Sequence, residues 1–287
     1  MKVLVTGANG FIGSYLSHFL LKRGYIVTAA ARQFHESTKV LLAKAELISL
    51  DVLNTEQLNK LSINADIIIH TATANDIISK KTMDGIELSA AGTKNILDFA
   101  VKNNIANCIV FSTLQVYGTE LLGAIDENSQ LHFQNDYGLN HLYAEMIAEM
   151  YTRLKKVQCV SVRPANVYGR ILTGSFNRWN LVPGCFCKEA MEKGTITIRS
   201  SGKQMRNFIN LENLSRAVDC IVQHFPNRYE CYNLASSQAY TMAEVAIKVK
   251  RVSGSFAAAR NALSSSPPPN RADSKICRTA PSMADPR

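Results

Sequence analysis

The sequence predicts an α/β fold, a doubly wound parallel sheet with a smaller C-terminal lobe. Three observations carry this. Short apolar runs alternate with helical patterns through residues 1–165, the order that builds a parallel sheet covered on both faces. The first run, Val3-Leu4-Val5, passes directly into a glycine loop and an amphipathic helix. The chain has 287 residues, room for one large domain and a smaller lobe.

The opening stretch MKVLVTGANGFIG reads as strand, glycine loop and helix N-terminus. Gly7, Gly10 and Gly13 are spaced G-x-x-G-x-x-G. Phe11, Ile12, Tyr15, Leu16, Phe19 and Leu20 give the helix its apolar pattern, and Gly24 stands past its end as a C-cap. Such a helix start points free N–H groups and the positive end of its dipole at an anion, the setting for a dinucleotide pyrophosphate. Side chains at Gly7 or Gly10 would obstruct that approach, and Gly13 lets the helix pack closely on the strand.

A second strand spans Ile26 to Ala31. An acidic residue at its end would bind the ribose hydroxyls of the cofactor and repel a 2′-phosphate. Here Ala31 is followed by Arg32, which can pair with a phosphate, so the cofactor is NAD or NADP, with this feature favouring NADP. Glu46–Leu50 reads as strand three, ending in Asp51-Val52, and Thr55–Leu61 as a short helix. Strand four, Asp66–His70, ends in Thr71-Ala72-Thr73; His70 reads as packed rather than reactive. Ile86–Asn103 is helical, with Leu88, Ile96, Leu97 and Ala100 inward, and Cys108–Phe111 is strand five. Tyr137 and His141 stand four residues apart and share a helix face. Cys159–Arg163 is strand six; Leu211–His224 is a helix, Tyr232–Leu234 a strand, and Thr241 caps a further helix.

Composition excludes several functions. No apolar run reaches bilayer length and no signal peptide is present, so the sequence predicts a cytoplasmic protein without a membrane partner. The seven cysteines lack framework or zinc spacing, which predicts reduced thiols and no metal. Net charge is +9, and Arg251–Arg287 holds six Lys/Arg against two Asp/Glu, leaving a modest surplus that suits anionic small molecules. No basic cluster with interleaved aromatics points to nucleic acid. Residues 251–287, with Ser264-Ser265-Ser266-Pro267-Pro268-Pro269, lack apolar periodicity and read as an atypical, disordered tail.

The loop TGANGFIG, the segments STLQVYG (112–118) and YGLNH (137–141), and then RPANVYG (163–169), NLVP (180–183) and GKQMRNF (202–208) resemble the extended short-chain dehydrogenase/reductase family, its NAD-dependent epimerase/dehydratase group. The resemblance extends to about Lys250 and implies a Rossmann-like NAD(P)-binding domain at 1–165, joined by segments returning from the C-terminal half. It implies a substrate-binding lobe at 166–250. Cofactor contacts would come from Gly7, Asn9, Gly10, Phe11, Ile12, Gly13, Arg32, Asp51, Val52, Thr71, Ala72 and Thr73, with Asp51 on the adenine. The family's habit is NAD. Thr113 and Tyr137 would be catalytic, and Asn166, Asn180, Leu181 and Arg206 would hold a nucleotide-sugar diphosphate. A homodimer is implied as well.

The chain departs from the family pattern at several positions. His141 occupies the place of the lysine that lowers the tyrosine pKa. With an ordinary value near ~6.5, a histidine is mostly neutral at pH 7. Ser89 replaces an asparagine, and Asn207 and Asn213 replace aspartates, which predicts looser hydrogen bonding around the substrate. Leu114 and Gln115 stand where dehydratases and decarboxylases carry acids, and neither transfers a proton at neutral pH. The chemistry left is epimerisation at C4 through a transient keto intermediate. The alternatives are a 4-keto reductase or dehydrogenase, and a catalytically impaired nucleotide-binding relative.

Overall fold

The central strands are apolar on both faces, which drives them into the middle of a layered domain. The structure, a computed structural model, describes residues 1–119, 123–173 and 181–264. Its strands are β1 (Lys2–Thr6), β2 (Ile26–Ala31), β3 (Glu46–Ser49), β4 (Ile67–His70), β5 (Asn107–Phe111), β6 (Gln158–Pro164), β7 (Asn166–Tyr168), β8 (Met205–Asn210), β9 (Glu230–Leu234) and β10 (Ala239–Thr241). Its helices are α1 (Phe11–Lys22), α2 (Glu36–Leu41), α3 (Thr55–Lys60), α4 (Thr82–Ile86), α5 (Gly92–Lys102), α6 (Asp136–Arg153), α7 (Gly184–Lys193), α8 (Leu211–Gln223) and α9 (Met242–Ser264). Seven strands form a parallel sheet in the order β3-β2-β1-β4-β5-β6-β9. The winding reverses between β1 and β4, which opens a crevice at the C-terminal ends of the strands.

Alternation along each strand builds two cores. Val3, Val5, Ile67, Ile69, Ile109 and Val160 pack against Leu16 and Leu20 of α1 and Leu214 and Val218 of α8. Leu4, Ile68, Cys108 and Val110 pack on the other face against Ile96 and Leu97 of α5 and Ala144 and Ala148 of α6. The strand read at Tyr232–Leu234 is the end of β9, which pairs with β6 and returns the C-terminal half to the main sheet.

Two local readings change. The buried face of α1 is Gly13, Ser14, Leu16, Ser17 and Leu20, whereas Phe11, Ile12, Tyr15 and Phe19 are half-buried. Small serines let the helix lie close to the sheet, and Ser17 satisfies its hydroxyl on the Gly13 carbonyl at 2.7 Å. The helix read from Ile86 contains a π-turn at Glu87–Ala91 between α4 and α5. Ser89 on that turn points inward and accepts a hydrogen bond from Ala74 N at 3.0 Å.

The lobe is a small sheet, β10-β8-β7, packed with α7 and α9 around Phe186, Phe208, Val245 and Ala246. Thr241 and Glu244 start α9 with a reciprocal cap: Thr241 Oγ1 accepts from Glu244 N, and the Glu244 carboxylate accepts from Thr241 N. The helix then runs to Ser264, across the boundary the sequence suggests at 251; residues 265–287 lie outside the described residues. Among the described residues, no helix is long and apolar enough to cross a membrane.

Candidate active site

A cavity of about 1090 Å³ follows the C-terminal ends of β1, β4, β5 and β6 and continues to the small sheet. Its first part is the glycine loop. Gly7 has φ +72°, and a Cβ there would lie 2.6 Å from Thr71 Oγ1. A Cβ at Gly13 would lie 2.3 Å from the Gly7 carbonyl oxygen. Gly13 therefore serves the close approach of α1 to its own loop and to the turn after β4. Gly10 is the N-cap of α1, no side chain caps that helix, and its first turn holds no acid. The N–H groups of Phe11, Ile12 and Gly13 have no intrahelical acceptor and lie on the cavity wall with Gly7 and Asn9. Uncapped donors beside a positive helix end fit a dinucleotide pyrophosphate.

Neighbouring loops complete this end. Asn9 Oδ1 accepts from His35 N at 3.3 Å, and the Thr71 hydroxyl donates to the Thr6 carbonyl at 2.7 Å. Asp51 Oδ1 accepts from Leu53 N at 3.0 Å. Arg32 is exposed, and it lines the same cavity as Asp51, Val52, Thr71, Ala72 and Thr73.

The middle of the cavity gathers Thr113, Tyr137 and His141. Thr113 lies two residues past β5 and begins the turn Leu114–Tyr117, and its Oγ1 accepts from Gln115 N at 3.3 Å. Asn135 caps α6 through a bond from Gly138 N at 2.8 Å. A Cβ at Gly138 would lie 2.7 Å from the Gln115 carbonyl, so the first turn of α6 rests directly on the turn after Thr113. This contact brings Tyr137 to the Thr113 side of the site. Leu114 is buried, and Gln115 accepts from Asn135 Nδ2 at 3.0 Å.

His141 is 4% exposed, with Nδ1 3.1 Å from the Phe111 carbonyl and its ring edge-on to Tyr137 at 4.7 Å. Burial pushes its pKa down to about 4, although the Phe111 and Ala74 carbonyls favour the charged form. The ring is neutral and donates Nδ1–H to Phe111. His70 is packed as expected, between the Thr6 hydroxyl at 2.7 Å and the Thr93 hydroxyl at 3.2 Å. Burial, with nearby His141, pushes it to about 4 as well.

These two rings make the fold acid-sensitive. Both folded values lie below the ordinary one, so the unfolded chain takes up protons first as pH falls. Stability is full above pH ~6.5 and falls by about 1.4 kcal/mol per unit per ring towards pH ~4. Melting temperatures recorded across that window should fall steeply in the wild type and less in His70→Asn. Parallel curves would overturn the assignment.

A buried network lies behind the middle site. Arg163 Nε and Nη2 donate to the two carboxylate oxygens of Glu145 at 2.9 and 2.6 Å. Arg163 Nη1 donates to Tyr117 Oη, which donates to Asn233 Oδ1 at 3.0 Å. Burial would lower the Arg163 pKa, but Glu145 outweighs it and holds the guanidinium above its ordinary value. Pattern reading misses this network and the cavity positions of Asn233 and Ser236. A charged residue near the end of a buried strand, as Arg163 is in β6, was the available signal.

On the lobe side, Asn166, Leu181 and Arg206 line the cavity; Asn180 lies outside the described residues. Asn166 Nδ2 donates to the Asn207 carbonyl at 2.8 Å. Asn207 is held at both ends of its amide. Its Nδ2 donates to the Ser236 and Gln238 carbonyls at 2.7 and 3.2 Å, and its Oδ1 accepts from Ser236 N at 2.9 Å. An ionised aspartate could not donate to those carbonyls.

The model of the NAD dependent epimerase/dehydratase family matches residues 3–235. A putative UDP-glucose 4-epimerase of Methanocaldococcus jannaschii is 26% identical over 221 residues, 75% of this chain and 71% of the relative. A dTDP-4-dehydro-6-deoxy-D-allose reductase of Streptomyces bikiniensis is 28% identical over 273 residues, covering 88% and 81%. The solved UDP-glucuronic acid 4-epimerase of Bacillus cereus, in complex with NAD, superposes with a TM-score of 0.78 at 26% identity, covering 88% and 83%. With its Rossmann-like sheet, its uncapped glycine-loop helix and this match over most of its length, the chain belongs to the NAD dependent epimerase/dehydratase family.

Proposed function

We propose that the chain is an NAD(P)-dependent epimerase of a nucleotide-activated sugar, acting at C4 through a transient keto intermediate. The observation that supports this most is one continuous cavity shared by the glycine-loop helix, the Thr113–Tyr137 pair and Arg206. When bound, the nicotinamide supplies the redox chemistry. Tyr137 takes the proton of the sugar hydroxyl and later returns it, and Thr113 holds that hydroxyl by a hydrogen bond. Arg206 pairs with the diphosphate, and Asn166 and Leu181 flank it. His141 orients the Tyr137 ring without adding charge.

That neutral ring favours a second reading, a keto reductase, which uses Tyr137 only as an acid, whereas epimerisation and dehydrogenation both need it as a base. UDP-glucose incubated with NAD or NADP and followed by proton NMR separates the readings. Appearance of the 4-epimer supports epimerisation. Reduced cofactor accumulating without epimer supports a dehydrogenase. Cofactor binding without turnover of UDP-hexoses or 4-keto sugars leaves an impaired relative.

Arg32 carries the cofactor prediction. Arg32→Ala should weaken NADP binding by about tenfold or more, the worth of a charge-assisted hydrogen bond, and leave NAD binding alone. Fluorescence titration with both cofactors reads this directly, and equal losses for both would remove the role.

A further inference from the structure

The geometry points to the buried Glu145–Arg163–Tyr117 network as the device that sets Tyr137 against Thr113; Glu145 and Arg163 are positioning residues. The inference rests on the reading of Thr113 and Tyr137 given above. Tyr137, His141 and Glu145 follow one another at intervals of four on α6, so they share a face. The face meets β5 at His141, through the Phe111 carbonyl, and β6 at Glu145, through the Arg163 fork. Two fixed levels prevent α6 from turning about its axis, which is the motion that would carry the Tyr137 phenol away from Thr113.

The third Arg163 nitrogen extends this hold. Tyr117, which it reaches, closes the short helical turn Leu114–Tyr117 that begins at Thr113. One planar guanidinium thus binds the helix carrying Tyr137 and the turn carrying Thr113. Only an arginine offers donors in that fixed fork; a lysine would supply a point charge. Tyr117 passes the constraint to Asn233, on the cavity wall, whose backbone N–H is held by Glu127 at 2.7 Å.

Energetics supports a geometric role. Glu145 and Arg163 are 3% and 5% exposed. Removing two charges from water is costly, and apolar residues of similar size often hold a fold equally well. The pair therefore contributes direction more than stability.

The test replaces the pair by apolar residues, Glu145→Leu with Arg163→Met, so that no lone charge is left buried. Tyr117→Phe cuts the link and keeps the ion pair. The double variant should melt near the wild type and bind NAD within about twofold, since the glycine loop lies on other strands. With UDP-glucose, its kcat should fall by about tenfold to a hundredfold at nearly constant KM. Arg163→Lys should not rescue the rate.

Fluorotyrosine placed at position 137 gives a second reading by fluorine NMR, independent of turnover. Its resonance should shift or broaden in the double variant and in Tyr117→Phe. A folded double variant with wild-type kcat and an unmoved resonance overturns the inference. If the wild type turns over no nucleotide sugar, the proposed function fails while the fluorine signal still decides the positioning role. If the double variant does not fold, Tyr117→Phe decides by the same two readings.

Discussion

Gly13→Ala is expected to remove cofactor binding and to destabilise the fold by about 3 kcal/mol or more. The added carbon would lie 2.3 Å from the Gly7 carbonyl oxygen and 2.8 Å from Thr71 Oγ1. Neither can retreat cheaply. The Gly7 carbonyl accepts from Gly10 N at 2.8 Å, and the Thr71 hydroxyl is committed to Thr6 at 2.7 Å. Relief requires a shift of α1 or of the loop, and either displaces the N–H groups that face the cavity. Gly24→Ala is the control. Unlike Gly13 it has a positive φ, +85°, but nothing lies within 4 Å of its missing Cβ. Its cost should be backbone strain alone, about 1 kcal/mol, with NAD affinity unchanged. Thermal melts and NAD titration of both variants check this. A Gly13→Ala protein that melts and binds as the wild type does would overturn the account of the loop.

How legible these features are in the sequence depends on how local their causes are. The strand–loop–helix start is legible because its parts are contiguous: an apolar run, three spaced glycines and a helical period between Met1 and Leu20. Local pattern also places Tyr137 and His141 on one helix face and finds the Thr241 cap. It fails where the decisive partner is far along the chain. Glu145 and Arg163 are 18 residues apart on different elements, and Tyr117 is 46 from Arg163. Ser14 and Ser17 are buried because the sheet lies beneath them, which hydrophobicity alone assigns to surface. Asn207 looks like a weakened aspartate until the Ser236–Gln238 turn is seen folded against it. The position of β9 beside β6 is likewise a property of the sheet, not of Tyr232–Leu234.

Tyr137→Phe should lower kcat by about a hundredfold to ten-thousandfold with cofactor binding retained, the range expected when a positioned acid/base is lost. A phenylalanine keeps the ring and its edge-on contact with His141, so the loss reports the proton alone. His141→Lys should act in the opposite direction. An unassisted tyrosine titrates near ~10, which leaves about one molecule in a thousand ionised at pH 7. His141, pushed down to about 4 by burial, stays neutral across the working pH range and adds no charge in favour of the phenolate. The wild-type rate should therefore climb towards alkaline pH. An ammonium at position 141 would stabilise the phenolate, and each unit by which it lowers the tyrosine pKa raises the base population at pH 7 about tenfold. Rate profiles of His141→Lys should accordingly rise at neutral pH and move to lower pH, and Tyr137→Phe should carry the same large loss in either background. An unchanged profile in His141→Lys, with the large loss in Tyr137→Phe, would mean that a neutral imidazole holding the ring is sufficient. Full activity in Tyr137→Phe would remove the assignment of the proton to Tyr137.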